Sequence, residues 1–190
     1  MVEWIYEPDK ENTVRYTLGI RGSRTLYCFG INPSTASPEK LDPTVNRVSQ
    51  IADAQGYNGW MMFNIYPKRE TIFQNLYAYR DDEIHLKNVA SVRQCIAEDL
   101  NQDIFIWAAW GNLILGKKYL CDCFSDILAA LPKDKKIHWL CAGMNKNGTP
   151  KHPLYLPKAS TLVPFDMAIH IENLRFSEKK GEKKTVDSTF

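Results

Sequence analysis

Four apolar runs, at 25–29, 60–63, 103–111 and 137–141, alternate along the chain with stretches whose apolar residues recur at helical spacing. Trp60-Met61-Met62-Phe63 contains no polar residue, the mark of a strand buried on both faces. Between the runs, 44–55 places Val45, Val48, Ile51 and Ala52 on one helical face and stops at Gly56, and 82–101 reads as a second helix. A third, over 113–131, carries Leu120, Phe124, Ile127, Leu128 and Leu131 and ends at Pro132. Strands alternating with helices of this length predict right-handed crossovers and a mainly parallel sheet covered on both sides. The fold expected is an α/β protein, a three-layer α/β/α sandwich. Ahead of it, 16–18 reads as a strand and Arg21-Gly22-Ser23-Arg24 as a hairpin turn into the strand at 25–29. Behind it, 143–157 is dense in Asn, Gly and Pro, and 159–174 fits either a short edge strand or a terminal helix. Residues 177–190 are rich in Lys and Glu and read as a solvated, flexible tail, so a single domain is expected over 1–176.

Composition narrows the chemistry only slightly. The chain of 190 residues can bury one substantial core, and its formal net charge of +2 is too mild to demand a nucleic-acid partner. The five cysteines form no C-x-x-C pair, which speaks against a disulfide framework and against zinc or iron–sulfur sites. They read as free thiols in a reducing, cytoplasmic setting. No apolar run has membrane-spanning length and no secretory leader is recognisable, so no membrane partner is expected.

Polar residues cluster just after each predicted core strand. Asn32-Pro33-Ser34, with Asp42 downstream, follows the first, and Asn64 with Lys68-Arg69 follows the second. Trp110-Gly111-Asn112 follows the third and Lys151-His152-Pro153-Leu154 the fourth. Parallel strands would bring all four clusters to one sheet edge, where ligands of open α/β sheets bind. A side-chain amide there offers two donors and two acceptors, which suits the carbonyl and imide edge of a pyrimidine better than a phosphate. Asp42 fits two roles, a helix N-cap or a second group acting on water. His138, inside an apolar run, reads as a satisfied core histidine. No metal-ligand spacing and no Gly-rich phosphate loop is present.

The ordered motifs Gly30-Ile31-Asn32-Pro33-Ser34, Asn64-Ile65-Tyr66-Pro67-Lys68-Arg69, Ala109-Trp110-Gly111 and His152-Pro153-Leu154-Tyr155-Leu156 resemble those of the uracil-DNA glycosylase superfamily. More closely, the stretch 16–156, with its N-P-S-T-A, D-P-T, W-G and H-P-L-Y-L motifs, resembles an uncharacterised domain family of bacteria and phages. The superfamily resemblance implies a glycosylase-like fold and a metal-free, cofactor-free hydrolase or transferase acting at an N-glycosidic bond in DNA, a nucleotide or a nucleoside. It implies catalytic roles for Asn32, as the amide that holds water, and His152, which steadies charge on the leaving base; Asp42 is the candidate to activate that water. Asn64 would read the flipped base, with Ser34, Trp110 and Tyr155 lining the pocket and Lys68, Arg69 and Lys151 gripping phosphate. Tyr66 and Phe73 are further candidates for the stacking wall. Leu154 stands where that superfamily usually has Ser, which removes a hydroxyl expected on the DNA backbone. Two alternatives follow from the same residues: a non-catalytic binder of a modified or extruded base, or an enzyme acting on a base substituent or a nucleotide-derived small molecule.

Overall fold

A computed structural model describes residues 3–174. The flexible tail expected over 177–190 lies outside the described residues. Seven strands form one sheet in the order β1-β2-β4-β3-β5-β6-β7. β1 is Trp4–Pro8, β2 Arg15–Ile20, β3 Thr25–Gly30 and β4 Gly59–Asn64. β5 is Asp103–Ala108, β6 Lys136–Cys141 and β7 Val163–Pro164. The four apolar runs of the sequence become the four central strands, β4-β3-β5-β6, all parallel. The outer strands are antiparallel, so the sheet is mixed at its margins.

Three helices that connect the strands cover the faces, and a fourth helical stretch, over 167–174, packs beside them. α1 (Pro43–Ala54) buries Val45, Val48, Ile51 and Ala52 against Leu26, Cys28, Met62 and Trp107. α2 (Asp82–Ala97) and α3 (Tyr119–Ala130) pack on the opposite face, against Tyr27, Phe29, Phe63 and Ile106. The layers follow from side-chain alternation, since neighbouring residues on β3 point to opposite faces. From β3 the chain leaves through α1 on one face, and from β5 through α3 on the other. That reversal creates a crevice at the carboxyl edge of the central strands.

Three expectations are corrected. β2 does not form a hairpin with β3; β4 lies between them, and β2 pairs instead with β1 and β4. The helix expected over 113–131 is split into a 3₁₀ turn (Gly111–Leu115) and α3. Gly116, between them, packs so closely that a Cβ there would lie 2.5 Å from the Phe73 ring. His138 is satisfied by Asp103, with Nε2 to Oδ1 at 2.6 Å, but it stacks on Phe105 at the partly exposed end of β6 rather than in the core. The 159–174 segment holds both alternatives, the edge strand β7 and a helical stretch over 167–174.

Candidate functional site

The crevice is a cleft of about 630 Å³ at the carboxyl edge, on the α1 side of the sheet. Its position follows from the pleat. Gly30 and Asn64 end neighbouring parallel strands as register partners. Asn64 falls two residues after Met62, and therefore on the α1 face. Gly30 leaves the room that Asn64 needs: a Cβ there would lie 3.0 Å from Asn64 Oδ1 and 2.7 Å from Met62 Cε. Asn64 is 0 % exposed and lines the cleft, yet neither Nδ2 nor Oδ1 has a hydrogen-bond partner among the described residues. Its backbone is held from behind, where Asn88 Nδ2 donates to Asn64 O at 2.9 Å. A buried amide left unpaired costs about 1–3 kcal/mol.

Around Asn64 the cleft gathers Asn32, Ser34, Asp42, Trp110, His152 and Tyr155. Asn32 is partly committed, its Nδ2 donating to Glu70 O at 2.7 Å and to Pro33 O at 3.2 Å. Only its carbonyl oxygen is left to accept from a ligand or a water. Asp42 caps α1, accepting from Val45 N at 2.9 Å through Oδ1. It lines the cleft as well. Ser34 Oγ lies 3.0 Å from Thr71 Oγ1. Trp110 is fully buried and touches the cleft only from the core side, where its ring packs on Phe124 and His170. Tyr155, 84 % exposed, stands at the mouth with its ring 6.3 Å from that of His152.

His152 has a defined tautomer. Its Nδ1 accepts from Leu154 N at 3.3 Å, which places the proton of the neutral ring on Nε2. Burial pushes the imidazole below its ordinary value, against the pull of Asp42. His170 is lowered too, by burial, although its bond to Gly148 O opposes the shift. An unfolded histidine takes up its proton near pH 6.5, whereas these two stay neutral further into acid. The unfolded state therefore binds more protons in that window, and stability falls as pH drops below about 6.5. Melting temperatures between pH 7.5 and 5.5 should show this decline, with a shallower slope in His152→Asn and in His170→Asn; parallel slopes in all three proteins would refute it.

The basic residues expected at the site are elsewhere. Arg69 is a strut: it donates to Ser34 O, to Ala36 O at 3.2 Å and to Tyr6 Oη at 2.7 Å, holding the β3–α1 loop from behind. Lys68 Nζ lies 5.1 Å from the centroid of the Tyr77 ring, and Lys151 is exposed with its backbone N–H on Gly143 O. None of the three lines the cleft. Tyr66 is a core residue, its hydroxyl accepting from Asp81 N, whereas Phe73 does reach the wall.

Arg15, Glu70, Thr71 and Asn145 also line the cleft and carry polar groups that sequence reasoning missed, whereas Asn112 reaches it as the cluster with Trp110 and Gly111 implied. Arg15 reaches it through a β-bulge. Glu7 pairs with Thr17 but Pro8 with Arg15, so Tyr16 is an extra residue and Arg15 takes the face that Leu18 occupies. Arg15 is the first residue of β2, where a charged side chain is ordinary, so the sequence carried no signal for it.

The model of one protein family, described as a protein of unknown function (DUF1643), matches residues 15–154, about three-quarters of the chain. The chain belongs to the DUF1643 family. The matched DUF1643 region begins at Arg15 and ends at Leu154, and so spans all four strand-end loops that build the cleft. No curated protein and no solved structure matches the chain.

Proposed function

We propose that this DUF1643 protein recognises a nucleobase in the cleft and hydrolyses or transfers at its N-glycosidic bond, on a glycosylase-like variant of the α/β fold. The observation that carries the reading is Asn64: a fully buried amide with both polar atoms unpartnered among the described residues, lining a cleft large enough for a nucleotide. An amide so placed pairs with a complementary amide-like edge, one donor to one acceptor in each direction. Phe73 and Tyr155 supply aromatic surface against which a base can stack.

The chemistry asked of the cleft is modest. Cleaving the bond passes through an oxocarbenium-like sugar, so the protein must place a water and stabilise negative charge on the departing base. Asn32 Oδ1 and the Asp42 carboxylate are the acceptors for that water, and Asp42 can take its proton as the oxygen bonds to the sugar carbon. His152, neutral with its proton on Nε2, donates toward the base oxygen on which charge collects. The base leaves with the bonding electron pair and is then protonated.

A second reading has support of its own. Asn32 and Asp42 both carry structural bonds, to Glu70 O and Val45 N, which suits a binder of a modified or extruded base without turnover. Mass spectrometry after incubation with nucleosides, nucleotides and oligonucleotides, normal and modified, separates the two. Free base with the matching sugar product, lost in Asp42→Asn, is the result expected. Base-dependent affinity with every substrate intact favours the binder, and an altered base with the sugar bond intact overturns both.

A further inference from the structure

Two guanidinium groups converge behind the loop that joins β3 to α1, and neither forms an ion pair among the described residues. Arg15 Nη1 donates to Ala36 O at 3.2 Å, and Arg69 donates to the same carbonyl and to Ser34 O. In both residues Nε is buried without a hydrogen-bond partner among the described residues. Arg15 is 1 % exposed and lines the cleft, the sole Lys or Arg among the described residues that do so. Its burial, the adjacent Arg69 and, in opposition, Asp42 leave its pKa lowered to about 10, so it is charged at neutral pH. The Asp42 carboxylate pulls on it from a distance but forms no ion pair with it among the described residues. Burying a cation without a counter-ion costs several kcal/mol, and placing a second beside it adds repulsion. Pro43 and Thr44, in the first turn of α1 that Asp42 caps, stand in the same wall.

We infer that the cleft takes a ligand with a terminal phosphate, seated against Arg15 and the first turn of α1, and that the ligand is a nucleoside monophosphate rather than a base within a strand. The nucleoside part rests on the base-reading role of Asn64; the phosphate part rests on Arg15 alone. A terminal phosphate can reach a guanidinium this deeply buried, because only one of its oxygens is esterified. A diester carries a sugar on both sides and stays at the mouth, where no Lys or Arg among the described residues lines the cleft to follow the backbone.

The test uses four probes on the full chain: 2′-deoxyuridine, its 5′-monophosphate, a single-stranded oligonucleotide containing deoxyuridine, and inorganic phosphate. Calorimetry is expected to show the monophosphate binding at least about 10-fold tighter than the nucleoside, the size of a charge-assisted contact. The oligonucleotide should bind no tighter than the nucleoside. Inorganic phosphate at millimolar concentration should raise the melting temperature of the parent and not that of Arg15→Gln. Arg15→Gln should bring the two affinities within about 3-fold of each other, and Arg15→Lys, which keeps the charge if the Gln variant fails to fold, should retain part of the ratio. Asn64→Leu should weaken both ligands and leave phosphate stabilisation intact. Equal affinities for nucleoside and monophosphate, with no thermal effect of phosphate, overturn the inference even where Asn64-dependent base binding persists. Tightest binding of the oligonucleotide overturns the monophosphate. Phosphate stabilisation that needs Arg15, with no nucleoside bound, would sink the base reading and leave the phosphate site standing.

Discussion

Asn64→Leu is expected to make the protein more stable and to abolish base recognition. In the parent both amide atoms are buried without partners among the described residues, next to the space that Gly30 leaves open. Leucine has nearly the same branched shape, removes two unsatisfied polar atoms and adds apolar surface to a floor that already contains Met62. Replacing an unpaired buried polar group by an apolar one of similar shape recovers about 1–3 kcal/mol. At this chain length each kcal/mol moves the melting temperature by roughly 2–4 °C. Recognition should fall by about ten- to a hundredfold or more, because the ligand edge then faces methyl groups. Asn64→Asp sharpens the reading: it keeps the size, turns the donor into an acceptor and buries a carboxyl group, so it should lose recognition without the gain in stability. Melting curves and affinity for the nucleoside panel, measured together, decide it. A Leu variant that melts lower and still recognises the base would take Asn64 out of the site.

The same residue shows what a sequence of this kind reveals. The four central strands are legible because a strand buried on both faces must be continuously apolar, as 60–63 is, and no competing element has that pattern at that length. Parallel order then brings the loops of β3, β4, β5 and β6 to one edge, and with them Asn32, Asn64, Trp110 and His152. The margins of the sheet are not legible. Gly22 does sit in a turn, its N–H donating to Thr25 Oγ1, but local turn chemistry does not say which strand lies alongside, and β4 enters between the two that the turn joins. Direction is the other hidden quantity. Lys68, Arg69 and Lys151 are visible as charges, whereas whether a long side chain reaches a ligand or a backbone carbonyl depends on packing; Arg69 spends its donors on Ser34 O and Ala36 O. Arg15 is hidden for a third reason. One extra residue at Tyr16 changes its face, and a bulge of that kind leaves no mark on periodicity.

Trp110→Ala is expected to produce the largest loss of stability among the cleft residues, and Tyr155→Ala almost none. Both aromatics line the cleft, but they belong to different parts of the molecule. Trp110 is fully buried, its ring centroid 4.5 Å from that of Phe124, 5.4 Å from His170 and 6.2 Å from both Trp139 and Phe165. It therefore joins the end of β5 to α3, to β6 and to the segment that follows β7. Truncating such a ring removes its transfer energy and leaves a cavity, at a cost of about 3–5 kcal/mol, or roughly 6–20 °C in melting temperature. Tyr155 is 84 % exposed on the 3₁₀ turn Pro153–Tyr155, so its removal changes little apolar burial. If it stacks on a bound base, its loss weakens binding by about five- to tenfold with the melting temperature held within a degree or so. Thermal melts of the two variants beside nucleoside affinity separate the roles: Trp110 holds the aromatic core behind the cleft, and the proposal has Tyr155 meet the ligand. A Trp110→Ala protein that melts like the parent would mean that the wall of the cleft does not depend on the aromatic core behind it.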